Sequence, residues 1–490
     1  MLISDFKKVS KQTFIYGLGG VLGRLFTLIS APILTRIFSP ADYGQISLVQ
    51  ITLGLAIIFA GFNISSGFTY YYYFHEKQKT KKNVLTSGIL AIIVLGFIVG
   101  LILFCSAEYI NFLINIGHEA GNIIDISKYI KIGSLGVFTG ILKTSFQTIL
   151  RIKEKPIKYI IAEITTLMAS FFFTLLFVIG LGFGIKGIFW GSVGGSTFGM
   201  LISLFFCRKY LGNNFSFALL GPILIYALPQ MPAGIISWFQ SQTGRIFINY
   251  YSTLDDQGLY SISFTISAVI LLVTNSFRLA YDPYSLSIMK RKDAKFTYAK
   301  IFSIYVFIFS ILVALISSFA KPILIIFTPP EYYPAYKMIF WLGAGGFILG
   351  ANNILGIGIN ITKRTKFISY AQLITFLSVI IFSFLLVPYY GALGASLAYF
   401  IGSLFQSCSY YIFAQKLYPI PYSYSRFIFT LFSLILFGAL NIYLVDEMNF
   451  FSSFLIGIFT LFASSIFSFY ISLKNSERRL ILKRSFDIFA

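Results

Sequence analysis

Apolar runs of about twenty residues recur along the whole chain, and they decide its fold class. A helix rising about 1.5 Å per residue needs ~20 apolar residues to cross a ~30 Å hydrocarbon layer. Fourteen such segments can be drawn, at 13–35, 46–67, 84–106, 129–150, 157–180, 184–206, 220–247, 258–281, 299–320, 335–358, 366–387, 391–413, 425–445 and 451–473. Of the 490 residues, 57% are hydrophobic and 11% are charged, against ~25% charged in soluble domains. A soluble enzyme, a disordered chain and a fibre are thereby excluded. The expectation is an all-α integral membrane protein of about fourteen spans. The run after the basic N-terminus contains Arg24 and Pro32 and has no cleavage site, so it reads as a retained first helix rather than a signal peptide.

The charges orient these spans. With the N-terminus placed in the cytoplasm, 28 of the 38 Lys and Arg residues fall in inner loops and tails and 6 in outer loops. Asp42, Glu108, Glu119, Asp125, Asp255, Asp256, Glu331, Asp446 and Glu447 fall outside. That bias predicts both termini in the cytoplasm and a multi-pass protein of the cytoplasmic membrane. The formal charge of +21 is then a topology signal, not a nucleic-acid footprint. The run Tyr70–Tyr73 closes the second span on the cytoplasmic side as interface anchors. Cys105, Cys207 and Cys408 are far apart in apolar segments, and His75 and His118 lie in different loops. The sequence therefore predicts no disulfide framework, no metal site and no bound cofactor.

Two weak internal matches suggest a duplication. Ser39-Pro-Ala-Asp42-Tyr-Gly44-Gln-Ile-Ser47 parallels Thr253-Leu-Asp-Asp256-Gln-Gly258-Leu-Tyr-Ser261 at an offset of 214 residues. The glycine-rich stretch from Gly184 through Gly187, Gly191 and Gly195 parallels that from Gly391 through Gly394, Ala398 and Gly402 at an offset of 207. The alternative is generic small-residue packing between close helices. A duplication gives two pseudo-symmetric six-helix lobes, 1–210 and 211–418, with two further helices and a basic tail at 419–490. The pairs flanking Gly184 and Gly391 must be tight helical hairpins.

Gly17-Leu-Gly-Gly20-Val-Leu-Gly23-Arg24, followed by Pro32-Ile-Leu-Thr-Arg36-Ile-Phe-Ser-Pro-Ala-Asp42-Tyr43-Gly44, resembles the polysaccharide-transport branch of the multidrug/oligosaccharidyl-lipid/polysaccharide (MOP) exporter superfamily, which includes the Wzx-type O-antigen and capsule repeat-unit flippases. Gly244-Arg245-Ile-Phe-Ile-Asn-Tyr-Tyr-Ser and Gly258-Leu-Tyr260-Ser resemble the junction of spans seven and eight in that family, though many members carry an acid where this chain has Gly244. The resemblance implies a flippase, not an enzyme. It would move an undecaprenyl-pyrophosphate-linked oligosaccharide to the outer leaflet by alternating access. Its partners would be that glycan lipid, the bilayer, and polysaccharide polymerase or assembly proteins. A drug or cation antiporter of the same superfamily and a membrane polymerase or ligase are the alternatives. The first wants acids in the cavity, and the second wants larger outer loops than this chain has.

Charge within a span is costly and should line a cavity. The in-span cations are Arg24, Lys143, Arg245 and Arg278. An anionic pyrophosphate would be compensated by such groups, and arginine suits phosphate through its planar fork. Arg24 has a second reading as a structural arginine paired with Glu163, and Arg278 as a side chain snorkelling to the inner interface. Glu163 and the borderline Asp282 suit either a coupling proton or a fixed ion pair, and proton, sodium and facilitated transport all remain open. Gln230, Gln242, Asn352 and Asn353 suit either sugar hydroxyls or interhelical bonds. Pro32, Pro229 and Pro232 suit either hinges or static kinks.

Overall fold

The computed structural model describes residues 26, 29–116, 124–212, 214–362, 364 and 366–473. Among them the regular structure is helical, with no strand. The principal helices are α1 (Pro40–Gly61), α2 (Ile64–Phe74), α3 (Gln78–Cys105), α4 (Ser127–Ile152), α5 (Pro156–Leu175), α6 (Ile185–Cys207), α7 (Phe217–Ala227), α8 (Met231–Tyr251), α9 (Leu254–Ser287), α10 (Ala294–Ser318), α11 (Tyr336–Leu355), α12 (Lys366–Leu417), α13 (Tyr424–Val445) and α14 (Phe450–Ser472).

Every expected segment from 46–67 onward is occupied by helix, while most of 13–35 lies outside the described residues. Among the described residues, ten helices are long and apolar enough to cross a membrane, or eleven if the bent pair α7–α8 is one span. Besides the first expected segment, most of which lies outside the described residues, two features bring this number below fourteen. α12 runs for 52 residues and holds two helices joined at Gly391. The 26-residue α4 is long enough but carries Lys143, Gln147 and several Ser, Thr and Gly residues, which lower its hydropathy.

The packing falls into two compact units. The first is built on Ala41–Gly258, the second on Ala31–Pro40 and the chain from Leu259 onward. In the first unit α5 and α6 form a tight hairpin. Gly184 opens α6 with φ 57° and ψ −138°, a region essentially reserved for glycine. Gly191, Gly195 and Gly199 then face Thr174, Ser170 and Thr166, where a Cβ on any of the three would collide. Both rows step by four residues, so the helices meet along one seam.

The second unit repeats this device. Gly391 breaks α12 with φ 52° and ψ −128°, close to the angles of Gly184. The chain folds back so that Gly394 abuts the Leu386 backbone, and a Cβ at Gly402 would meet Val379. The two glycine-rich stretches matched in the sequence thus make the same turn. In the other matched pair the copies meet within the first unit. Gly44 packs on the Leu254 carbonyl, and Gln257 donates to Ser47 Oγ at 3.1 Å.

Proline shapes the α7–α8 junction. Pro229 is the middle residue of a single 3₁₀ turn at Leu228–Gln230, and Pro232 sits in the first turn of α8. The two helices meet at 42°, as expected where proline removes backbone hydrogen bonds. Pro32 lies in the last helical turn before Thr35, whose hydroxyl donates to the Ala31 carbonyl at 2.8 Å.

Candidate substrate cavity

The first unit holds a cavity of about 850 Å³, open to the surface. Three helices build it. The face of α4 carrying Thr144, Thr148 and Arg151 forms one wall, since these residues are four and three positions apart. α2 supplies Ser66, Thr69, Tyr70 and Tyr73 at the same helical spacing, and α7 with its following turn supplies Tyr226 and Gln230. α2 contributes most of its length, α4 its C-terminal half, and α7 its C-terminal end and the turn after it.

The lining is polar and cationic. Arg151 Nη2 donates to Thr148 Oγ1 at 2.8 Å, which leaves further guanidinium donors for a ligand. The described lining residues include no acid. Asn63 Nδ2 donates to Gln230 Oε1 at 3.0 Å, and Gln230 Nε2 donates to the Tyr226 carbonyl at 3.1 Å. The rings of Tyr70 and Tyr226 stack with centroids 4.4 Å apart, and Tyr73 OH donates to the Ile152 carbonyl at 3.3 Å. These groups offer an anion one charged fork and offer sugar hydroxyls several amides and hydroxyls.

A second cationic layer lies beside the cavity. Lys153 Nζ donates to Tyr72 OH at 2.7 Å and also sits over the Tyr72 ring. Lys81 approaches the same ring at 5.3 Å. Thus Tyr72 is buried under two lysines, while Tyr70 and Tyr73 line the cavity; the tyrosine run does more than anchor a helix.

The sequence-derived candidates fall in several places. Arg24 lies outside the described residues. Lys143 Nζ donates to Glu163 Oε2 at 3.0 Å, and Gln147 Nε2 donates to the same oxygen at 2.7 Å. Both ionic side chains are largely buried, at 16% and 18% exposure. On α8, Arg245 donates to Gln242 Oε1 at 3.2 Å, and Gln242 donates to Ser241 Oγ at 3.2 Å. On α9, Arg278 and Asp282 are one turn apart. In the second unit Asn353 donates to the Gly350 carbonyl at 3.1 Å. The Asn352 side chain is buried in that unit with neither amide atom hydrogen-bonded. Among the described candidates, Gln230 is the one that lines the cavity.

Arg151, Asn63 and the hydroxyls of α2 were not among the sequence-derived candidates. Arg151 looked like one more inner-loop cation. Its spacing from Thr144 and Thr148 is the signal that places it on a polar helix face. Asn63 is set by backbone geometry: Phe62 and Asn63 have φ of 42° and 54°, which breaks the helix between α1 and α2.

Residues 33–279 match the family model described as "Polysaccharide biosynthesis protein". The chain belongs to that family. No curated protein sequence matches it. Among solved structures, it is similar to the lipid II flippase MurJ in an inward closed conformation, with a TM-score of 0.71 and 19% identity over 92% of this chain and 98% of that one. It is also similar to a multidrug resistance MATE family transporter of the MOP superfamily. The inward-facing form gives a TM-score of 0.63 and 14% identity over 80% of this chain and 94% of that one. The outward-facing form gives 0.58 and 15% over 84% and 94%. The fold is therefore the one shared by MurJ and these MATE transporters, in keeping with the superfamily that the sequence resembles.

Proposed function

We propose that this protein is a flippase for a phosphate-linked glycan lipid of the cytoplasmic membrane, with an undecaprenyl-pyrophosphate-linked O-antigen or capsule repeat unit as cargo. The observation that carries this reading is the cavity of the first unit, with Arg151, hydroxyls and amides on its walls and no acid among its described lining residues. A pyrophosphate crossing a bilayer needs its charge matched by fixed donors. A sugar needs paired hydroxyls, and this lining supplies both. Membership of a polysaccharide biosynthesis family supports a glycan cargo, and the MurJ-like fold supports a lipid-linked one. An antiporter for organic cations would want an acid in the cavity. Glu163, the acid placed well inside a span, is instead engaged by Lys143 and Gln147. Arg24 and Arg245 are proposed as further contacts along the path. A polymerase or assembly complex would take the delivered unit.

The test is to delete the gene and locate the lipid-linked repeat units. Units trapped on the cytoplasmic leaflet with no surface polymer support the flippase. Single units that reach the outer face but stay unpolymerised overturn it.

A further inference from the structure

A second hollow of the first unit lies beside the polar cavity, and its chemistry is the opposite. It is a groove of about 490 Å³ between α1 and α3, lined by Phe59, Phe62, Leu95, Ile98, Ile102 and Leu103 among others. Its two polar side chains are already used. Thr52 donates to the Leu48 carbonyl at 3.2 Å and Ser106 to the Ile102 carbonyl at 2.7 Å. Nothing in the groove is left to hold a polar ligand, so its occupant is hydrocarbon. Ile98 and Ile102 are 44% and 60% exposed, so the groove opens sideways along the span, where a bilayer would supply such an occupant.

The groove and the cavity meet at one backbone feature. Phe62 lines the groove and the next residue, Asn63, lines the cavity. Both have positive φ, uncommon for residues other than glycine and an outlier for a bulky one. The left-handed break therefore marks the border between an apolar surface on α1 and a polar one on α2.

Helix direction then fixes what kind of chain fits. α3 and α4 are antiparallel: Cβ positions at Gly96 and Gly100 of α3 face Ile141 and Ser134 of α4. Arg151 is thus at the end of the pair where α3 begins, the end that the loop charges assign to the cytoplasm, and Ser106, which follows α3, is at the other end. From Leu95 to Ser106 the helix rise alone covers about 16 Å. An acyl chain anchored by a headgroup at the level of Arg151 ends near the bilayer midplane, ~15 Å deep. Reaching the Ser106 level takes a chain that spans most of the ~30 Å core. The geometry points to the α1–α3 groove as the seat of the polyprenyl chain of the substrate, with its phosphate head beside Arg151. This assignment rests on the reading of the substrate as a lipid-linked glycan.

The test is photolabelling of the full chain in lipid nanodiscs. One probe is undecaprenyl-pyrophosphoryl-N-acetylglucosamine with a diazirine near the far end of the prenyl chain. The other is phosphatidylglycerol with a diazirine at the end of an acyl chain. The prenyl probe is expected to label peptides within 52–62 and 95–110, and excess unlabelled prenyl-linked sugar to displace it. Ala56→Phe, which fills the groove, and Ile102→Trp, at an exposed position that leaves the packing alone, should each cut that label at least fivefold. Prenyl labelling confined to other helices overturns the assignment. So does equal labelling of the groove by the phospholipid, undisplaced by the prenyl-linked sugar. Units trapped in the deletion strain together with an unlabelled groove would refute the groove alone. A labelled groove with no trapped units would refute the flippase reading and leave a prenyl-lipid site.

Discussion

Lys143 and Glu163 face each other between α4 and α5 at 3.0 Å, and Gln147 shares the same carboxylate oxygen. With both side chains largely buried, removing one partner leaves the other charge in a poor medium. Glu163→Leu or Lys143→Met alone is expected to destabilise the protein by about 2 kcal/mol. The double substitution should recover most of that loss and keep transport, read by thermal melting and by surface polymer. A double variant that melts normally yet transports nothing would show that Glu163 carries a coupling proton instead.

The matched turns give a prediction about backbone alone. A Cβ at Gly184 meets nothing within 4 Å, yet its φ is 57°. Gly184→Ala should therefore cost about 1–3 kcal/mol through strain without any clash. Gly391→Ala should cost a similar amount. Gly195→Ala keeps an ordinary helical backbone but collides with the Cα as well as the side chain of Ser170, so Ser170→Gly in the same chain should relieve only part of the loss. Melting temperatures of the four variants check this; a harmless Gly184→Ala would contradict the assigned backbone.

Acid should loosen the second unit at Asp446. Hydrogen bonds from Lys337 and then Tyr336 hold its carboxyl below the usual range. Lys337 Nζ lies 2.8 Å away and Tyr336 OH donates at 2.7 Å. A carboxyl lowered on folding stabilises above its unfolded value of about 3.9, and that contribution is lost as pH falls through the folded value. The melting temperature should thus fall more steeply below about pH 4 in the wild type than in Asp446→Asn. Parallel profiles would remove the linkage.

Arg151 separates binding from folding. It is exposed on the end of α4, where a cation also suits the helix dipole. Arg151→Gln should cut surface polymer at least tenfold, with the protein still folded in the membrane, and Arg151→Lys should restore part of it. A purely structural role predicts a lower melting temperature instead. Arg24→Ala is expected to abolish surface polymer in the same assay.

Much of the fold is legible in the sequence because hydropathy and glycine spacing report it directly. The apolar runs mark the helices. Gly184 and Gly391 mark the hairpins, since only glycine suits the backbone those turns use. Pro229 and Pro232 announce the bend at α7–α8. The cavity is less legible. The break at Phe62–Asn63 follows Gly61, and asparagine tolerates a left-handed backbone, but these residues sit inside an apolar run that hydropathy reads as one span. Arg151 sits among Lys153, Lys155 and Lys158, and orientation alone accounts for a basic run of this kind. The partnership of Asn63 with Gln230 spans 167 residues and follows from how α2 meets α7, which periodicity does not reveal.

The most direct test of the central claim is translocation by the purified protein. It would be reconstituted into vesicles carrying a fluorescent undecaprenyl-pyrophosphate-linked oligosaccharide, with an impermeant quencher reading which leaflet holds the label. The flippase account predicts rapid loss of protected label with the wild type and at least tenfold slower loss with Arg151→Gln. Loss no faster than in protein-free vesicles, under a proton gradient, a sodium gradient and neither, would contradict it.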